Sequence, residues 1–394
     1  MIYFLVFILL LLLSFRYDIN GKTRGRDHWY LAMLVVLILV AGLRFRTTGD
    51  TMAYLYHFYH DYSDLEHLNL TRLTRHEPFW VYLNSLVKTF GGRFYVVQII
   101  QASIVNIIIF RFFKKYSSYP FLCVFFYYIL AYHYFTMIVM RNAVAIVICL
   151  LANDYVLERK WKKAYLLYFI AVMFHYSSAL FIIITPCLLF LRLNKLGLLF
   201  LASMLVVGNV LQSYFEDLFA LLEFNAVVSN KLDAYMESGG FSTEGNNLNY
   251  YVFQLIMPVF YIGLSLYHVK KDDPQSDLLK MEPFVMIGLM FMMLRFNIGM
   301  LHRFSVAYEV YFILFIVQFF MNMYKTKKVL SNAVSLARTI VVFSPFLLFS
   351  IYTSIISDRY SPYHTVIDKK IEIKRENSFI NTRGAESLPK KNEY

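Results

Sequence analysis

Apolar residues occupy the chain in long blocks, separated by short polar stretches, from the N-terminus to about residue 352. Blocks of this length predict membrane-spanning helices rather than the interrupted amphipathic pattern of a soluble domain. The runs cover roughly 1–15, 29–43, 93–112, 119–139, 141–157, 164–176, 178–191, 196–215, 248–268, 282–298, 304–323 and 333–352. They predict an all-α, polytopic transmembrane helical bundle of about 12 spans over residues 1–352, followed by a polar C-terminal tail over 353–394. Met1 to Leu13 has no basic stretch before it and no small-residue cleavage site after it, so it reads as a retained first helix.

Composition agrees with that pattern. Hydrophobic residues make up 59% of the 394 positions and charged residues only 16%, with a mean hydropathy of +0.52. The formal net charge of +12 does not imply nucleic acid, because the basic excess sits in short loops between apolar runs, where it sets membrane orientation. These clusters are Arg16, Lys22, Arg24 and Arg26; Arg111, Lys114 and Lys115; Arg159, Lys160, Lys162 and Lys163; Arg192 and Lys195; Lys270 and Lys271; and Lys325, Lys327 and Lys328. Placing them all in the cytoplasm puts the N-terminus outside. It also requires residues 164–191 to turn near His175 and Ser177 as a helical hairpin instead of crossing once. Trp29 and Trp161, at segment starts on that face, fit an aromatic belt. On this count the tail lies outside. Cys123, Cys149 and Cys187 all fall in apolar runs, with no metal spacing and no disulfide framework.

The outer face then carries two longer loops, about 44–92 and 216–247. The second is acidic. The first holds Arg44, Arg46, Asp50, Arg72, Arg75 and Glu77, and Arg141, Arg295 and Arg303 reach the same side from helix ends. Arginine at an outer helix end opposes the topology rule. Its guanidinium fork binds phosphate bidentately, so several converging near the membrane suit a pyrophosphate headgroup; the plainer reading is that each snorkels to the interface. His57, His60 and His67 with Asp61 and Asp64 are too loosely spaced to predict a metal centre, and no cofactor is expected.

Several stretches resemble one family. Gly42-Leu43-Arg44-Phe45-Arg46-Thr47-Thr48-Gly49-Asp50, with Tyr54 four residues on, resembles the signature that closes the second helix of EpsG-type, Wzy-like polysaccharide polymerases. His76-Glu77-Pro78-Phe79 is similar to the family's Glu-Pro before a short amphipathic helix. Met140-Arg141-Asn142-Ala143-Val144-Ala145 resembles its Arg-Gln-x-x-Ala motif, with Asn142 in place of Gln. Ala171-Val172-Met173-Phe174-His175-Tyr176-Ser177 resembles Ala-x-x-Phe-His-x-Ser, and His302-Arg303-Phe304 and Tyr360-Ser361-Pro362-Tyr363 resemble later Arg-aromatic and Pro-Tyr elements. The order is the family's order.

That resemblance implies a GT-C-like glycosyltransferase architecture in the bacterial inner membrane. It implies a polymerase that joins polyprenyl-pyrophosphate-linked oligosaccharide repeat units at the outer face, as in O-antigen or exopolysaccharide synthesis. A chain-length regulator and a flippase are the implied pathway partners, beside membrane lipids. The chemistry needs cations for the departing pyrophosphate and a group that aligns or deprotonates the acceptor hydroxyl. The expected assignment has Arg44, Arg46, Arg141 and Arg303 on phosphate, His175 or Glu77 as base, Asp50 orienting an arginine or the acceptor, and Tyr54 and Tyr363 against sugar. Each has a plainer reading. Asp50 caps a helix, Glu77 starts one ahead of Pro78, His175 packs in an apolar segment, and the tyrosines are interfacial aromatics. The competing classes are a flippase of lipid-linked sugars and a membrane O-acyltransferase acting on the same glycans. A flippase predicts charge deep within spans, which these runs nearly lack.

Overall fold

The apolar runs fold as helices because, out of water, only an intrahelical ladder satisfies every backbone amide and carbonyl. The computed structural model describes residues 2–46, 49–68, 76–220, 262–263, 266, 269–270, 276–295, 298, 301–325 and 363–368, with the side chains of 49–50, 209, 212–220, 302 and 323–325 left aside. Among them the chain is mostly helical and has no strand, only one isolated bridge. Most of the predicted runs at 248–268 and 333–352, the loop from 221 to 247, and Arg72 and Arg75 lie outside the described residues. So does the tail beyond Asp368.

Contacts divide the chain into two compact units, Met1–Ile183 with Leu347–Tyr394, and Ile184–Phe346. The first contains α1 (Ile2–Ser14), α2 (Arg26–Gly42), α3 (Gly49–His60), α4 (Pro78–Thr89), α5 (Phe94–Tyr116), α6 (Pro120–Tyr127), α7 (Met140–Leu157) and α8 (Trp161–Phe174). Helix α2 packs on α5, α7 on α8, and α1 on α6. Gly42 permits the first of these: a Cβ there would lie 2.6 Å from Ile99 Cγ1, so any side chain would push the two helices apart.

At one end of this unit Asp18 ties three elements together. Its buried carboxylate accepts the Leu122 N–H in the first turn of α6 at 2.7 Å and pairs with Arg26 at 3.2 Å. Further ion pairs stand around it, Lys114 with Asp27 at 2.8 Å and Lys115 with Asp154 at 2.9 Å, both on exposed or half-exposed side chains.

Beyond α6 the chain continues through two π-helical turns, Tyr128–Tyr132 and Tyr134–Ile138, before α7 restarts at Met140. Widened turns disturb the i→i−4 ladder, and side chains from neighbouring helices stitch the segment in place. Tyr128 donates to the Tyr3 carbonyl at 2.8 Å and Tyr132 to the Leu37 carbonyl at 2.6 Å. Gln101 donates to the carbonyls of Phe135 and Met140 on either side of the restart, at 3.3 and 3.5 Å. The first turn of α7 is therefore fixed from outside its own ladder.

Ile2–Ile19, Phe94–Tyr116 and Met140–Leu157 are each long and apolar enough to cross a membrane. Exposed apolar residues recur one turn apart on α2 (Leu31, Val35 and Leu39), with others on α1 and α8 (Phe4, Leu5, Leu12, Leu166 and Phe169), as on a lipid-facing surface. The predicted break in residues 164–191 falls where expected. Helix α8 stops at Phe174, His175 is extended (φ −158°, ψ 115°), and a 3₁₀ turn over Tyr176–Ser178 leads into α9 (Ala179–Leu188).

The second unit holds α10 (Lys195–Ala220), α11 (Glu282–Leu294), α12 (His302–Val306) and α13 (Glu309–Lys325). Its buried Glu282 takes Lys270 at 2.5 Å and the Leu193 N–H.

Candidate active site

Three helix ends meet in the first unit: the start of α4, the start of α7 and the end of α8. Pro78 at the first position of α4 dictates the first of them, since its fixed φ suits a helix start and its missing N–H costs nothing there. Glu77 is the N-cap, extended at φ −69° and ψ 141°, yet its side chain makes no capping bond. The helix-start reading of Glu77 holds for its backbone, and its carboxylate is left to other partners.

That carboxylate is 3% exposed and bridges two partners. Oε2 accepts from Arg141 Nη1, and Oε1 lies 2.9 Å from His175 Nδ1, with the Tyr176 N–H at 3.5 Å. Burial pushes the Glu77 carboxyl up, but the His175 hydrogen bond and the Arg141 charge outweigh it and hold the group at about 2. Glu77 is thus a carboxylate throughout the neutral range, stabilised further by the positive ends of α4 and α7. An ionised carboxylate only accepts, so His175 Nδ1 carries the hydrogen of this bond, and in the neutral ring Nε2 has the lone pair. The His175 side chain is 15% exposed and that of Arg141 19%, so the cluster is sheltered without being sealed.

Arg141 sits in the first turn of α7. Nη1 also reaches His76 Nδ1 at 3.1 Å, and the guanidinium lies 5.6 Å from the centroid of the half-buried Tyr54 ring. Behind Tyr54 stands Trp80 of α4, ring centroids 5.5 Å apart, within a core of Phe45, Leu55, Phe58 and Phe94.

Arg44 is placed differently. It is 0% exposed; its donors reach the carbonyls of Ala41 and, at 3.5 Å, Met137, and the Met140 sulfur at 3.1 Å. It closes the C-terminal end of α2, where a cation is favoured, and braces the restart of α7 with Thr51, which donates to the Met137 carbonyl at 3.0 Å. A late segment holds it there. Arg44 and Thr365 form an antiparallel bridge, flanked by Phe45 N–H to His364 O and Val366 N–H to Leu43 O, each 2.9 Å. Tyr363 donates to the Val40 carbonyl at 3.0 Å and packs edge-on against Tyr3; burial, countered by Arg44, pushes its hydroxyl up to about 12. Arg46, 3% exposed, has a left-handed backbone (φ 45°) and lies over the Phe45 ring.

Residues 28–365 match the family model described as the EpsG family. The chain belongs to the EpsG family. That is a Wzy-like polysaccharide polymerase family, so this EpsG-family chain is a membrane protein with a polymerase role of glycosyltransferase type. No curated protein and no solved structure matches it.

The structure of this EpsG-family protein brings Glu77, Arg141, His175 and Tyr54 together and stations Arg44 and Tyr363 behind them. Asp50 is the second residue of α3, and its side chain lies outside the described residues. Arg303, exposed on α12, and Arg295, buried and donating to Ser305 at 3.3 Å, belong to the second unit. His76 is the partner that sequence reasoning passed over, although it adjoins Glu77 in the same motif.

The loose histidine cluster resolves into local pairs. His67 bonds Asp64 at 2.6 Å on the surface, His60 stacks on Tyr56, and His57 bonds Asp61 at 2.5 Å. His57, Asp61 and His76 present ligand-type atoms within 4.8 Å of one another. His76 already turns its Nδ1 lone pair to Arg141, so cation binding through that residue would require it to part from Arg141.

Proposed function

We propose that this protein joins polyprenyl-pyrophosphate-linked oligosaccharide repeat units at the outer face of the bacterial inner membrane, with His175 as general base and Glu77 as the group that orients it. The observation that carries this is the Glu77 bridge: one buried carboxylate between Arg141 and His175. Glu77 is a poor base because its charge is held by three donors and its carboxyl stays at about 2. His175, fixed by Glu77 at Nδ1, offers Nε2 to an acceptor hydroxyl, the relation of base to orienting carboxylate in a nucleophile-activating triad.

In the proposed step Nε2 takes the proton of an acceptor sugar hydroxyl as its oxygen bonds to the donor's anomeric carbon. The bond from that carbon to the pyrophosphate oxygen breaks, and the polyprenyl pyrophosphate leaves with the electron pair. Arg141 and Arg46 are assigned to the charge that develops there. Arg44, enclosed by carbonyls, serves instead to brace the start of α7. Tyr54 is assigned to sugar contact beside Arg141, and Asp50 to orienting an arginine or the acceptor. Exposed apolar faces on α1, α2 and α8 support embedding in lipid, and twelve spans with the basic loops inside remain the proposed topology.

The test is the lipid-linked glycan in membranes of a His175→Ala strain. Single repeat units on the carrier, with protein level unchanged, are expected. Full-length polymer would remove His175 from the reaction, and full-length polymer lacking only acyl groups would assign the site to acyl transfer.

A further inference from the structure

We propose that His57, Asp61 and His76 form a positioning chain that sets the plane of the Arg141 guanidinium, and with it the affinity for a pyrophosphate-bearing donor. The inference rests on the polymerase reading above.

Arg141 Nη1 carries two hydrogens. One goes to Glu77 Oε2 and the other toward His76 Nδ1 at 3.1 Å. A guanidinium is planar and its N–H bonds lie in that plane, so a single acceptor leaves it free to swing and two acceptors on one nitrogen fix it. Fixed in this way, the guanidinium keeps one orientation beside the Tyr54 ring. The Glu77 contact supplies the counter-charge; the His76 contact supplies the angle.

His76 can serve only in one tautomer. Its Nδ1 must carry the lone pair, which places its hydrogen on Nε2. The neighbouring ring holds His76 in place by packing. His57 and His76 pack with ring centroids 4.5 Å apart, edge to face, and both residues are buried, at 6% and 7% exposure. His57 Nδ1 donates to Asp61 at 2.5 Å, which leaves the lone pair of His57 on its Nε2. His57 lies in the last turn of α3 and Asp61 just past its end, with the Asp61 N–H bonded to the His57 carbonyl at 3.0 Å, so the helix end sets the pair. Asp61 holds the His57 ring, His57 packs against the His76 ring, and His76 turns Nδ1 to Arg141. Tyr62, on the other side of His76 with centroids 5.6 Å apart, closes the packing. The same three residues read as a cation site would have to give up the hydrogen bond between His76 and Arg141.

The experiment uses the full-length protein in lipid nanodiscs with lipid-linked repeat units extracted from a strain lacking the gene, measuring kcat and the KM for the donor. His76→Leu should raise the donor KM about tenfold or more and lower kcat less, as loss of a hydrogen bond to a charged group predicts. His76→Asn, whose side-chain oxygen reaches the same position, should recover most of it, and His57→Phe, which keeps the ring, should raise KM by a smaller factor. Equal impairment in His76→Leu and His76→Asn, or wild-type KM in both, overturns the chain. So does stoichiometric zinc in the purified protein that is lost in His57→Phe. An inactive Arg141→Ala beside a wild-type His76→Leu defeats only this inference; no polymer from the native protein defeats the polymerase reading beneath it.

Discussion

The two ends of the first unit use the same residue types to opposite effect. At the end where α2 begins and α5 and α7 finish, one buried carboxylate, Asp18, pairs with Arg26, while Lys114, Lys115 and Lys160 meet Asp27, Asp154 and Glu158 on side chains between 17% and 76% exposed. At the end where α4 and α7 begin, Arg141 and His175 meet one carboxylate that is 3% exposed. Exposed pairs are screened and exchange readily with water, so they orient and solubilise but contribute little stability. A buried carboxylate whose partners are removed has nothing to replace them. Ion pairs are thus no guide to a site until their solvent access is known.

Four expectations would break or sharpen that contrast. Arg141→Ala should have the largest effect, about 3–5 kcal/mol of lost stability from the stranded Glu77 charge, together with loss of polymer. Melting in detergent and glycan length on gels report the two separately, and an Arg141→Ala, Glu77→Gln double variant should recover stability but not polymer. Next comes acid. The Glu77 carboxyl is held at about 2 against its ordinary 4.5, so its contribution is complete above pH 4.5 and is lost as pH falls toward 2. The melting midpoint should carry this component in the native protein and lack it in Glu77→Gln; identical acid profiles would mean that the carboxylate is not paired. Tyr363→Phe should cost about 1 kcal/mol through its bond to the Val40 carbonyl, seen as a small drop in midpoint. Lys115→Ala, at the opposite end, should fall within about 1 kcal/mol of native and shrink further in high salt.

Much of the fold was legible because hydrocarbon length and apolar composition are properties of consecutive residues. Runs such as 93–112 and 141–157 appear as Phe94–Tyr116 and Met140–Leu157. The break at His175 was legible through loop charge, and the helix after Glu77 through Pro78. Three features were not. The inward turn of Arg44 depends on partners far along the chain, Met137 and Thr365, which no local pattern announces. The π turns before α7 are sustained by Tyr132 and Gln101 reaching other helices. The His76 contact joins residues 65 apart in sequence. The His57–Asp61 spacing was visible, but its meaning was not until His76 arrived beside it.

The bridge between Arg44 and Thr365 also fixes an arithmetic property of the whole chain. Two backbone segments bonded to each other lie at one depth and on one side of whatever layer the chain threads. A chain that departs from that side after Arg46 and is back on it at Tyr363 must cross an even number of times in between. Ten apolar runs separate the two segments in the sequence, which satisfies the condition, whereas nine or eleven would not. One hydrogen-bonded residue pair thus acts as a checksum on the threading of the polypeptide, independent of where any single helix starts or stops.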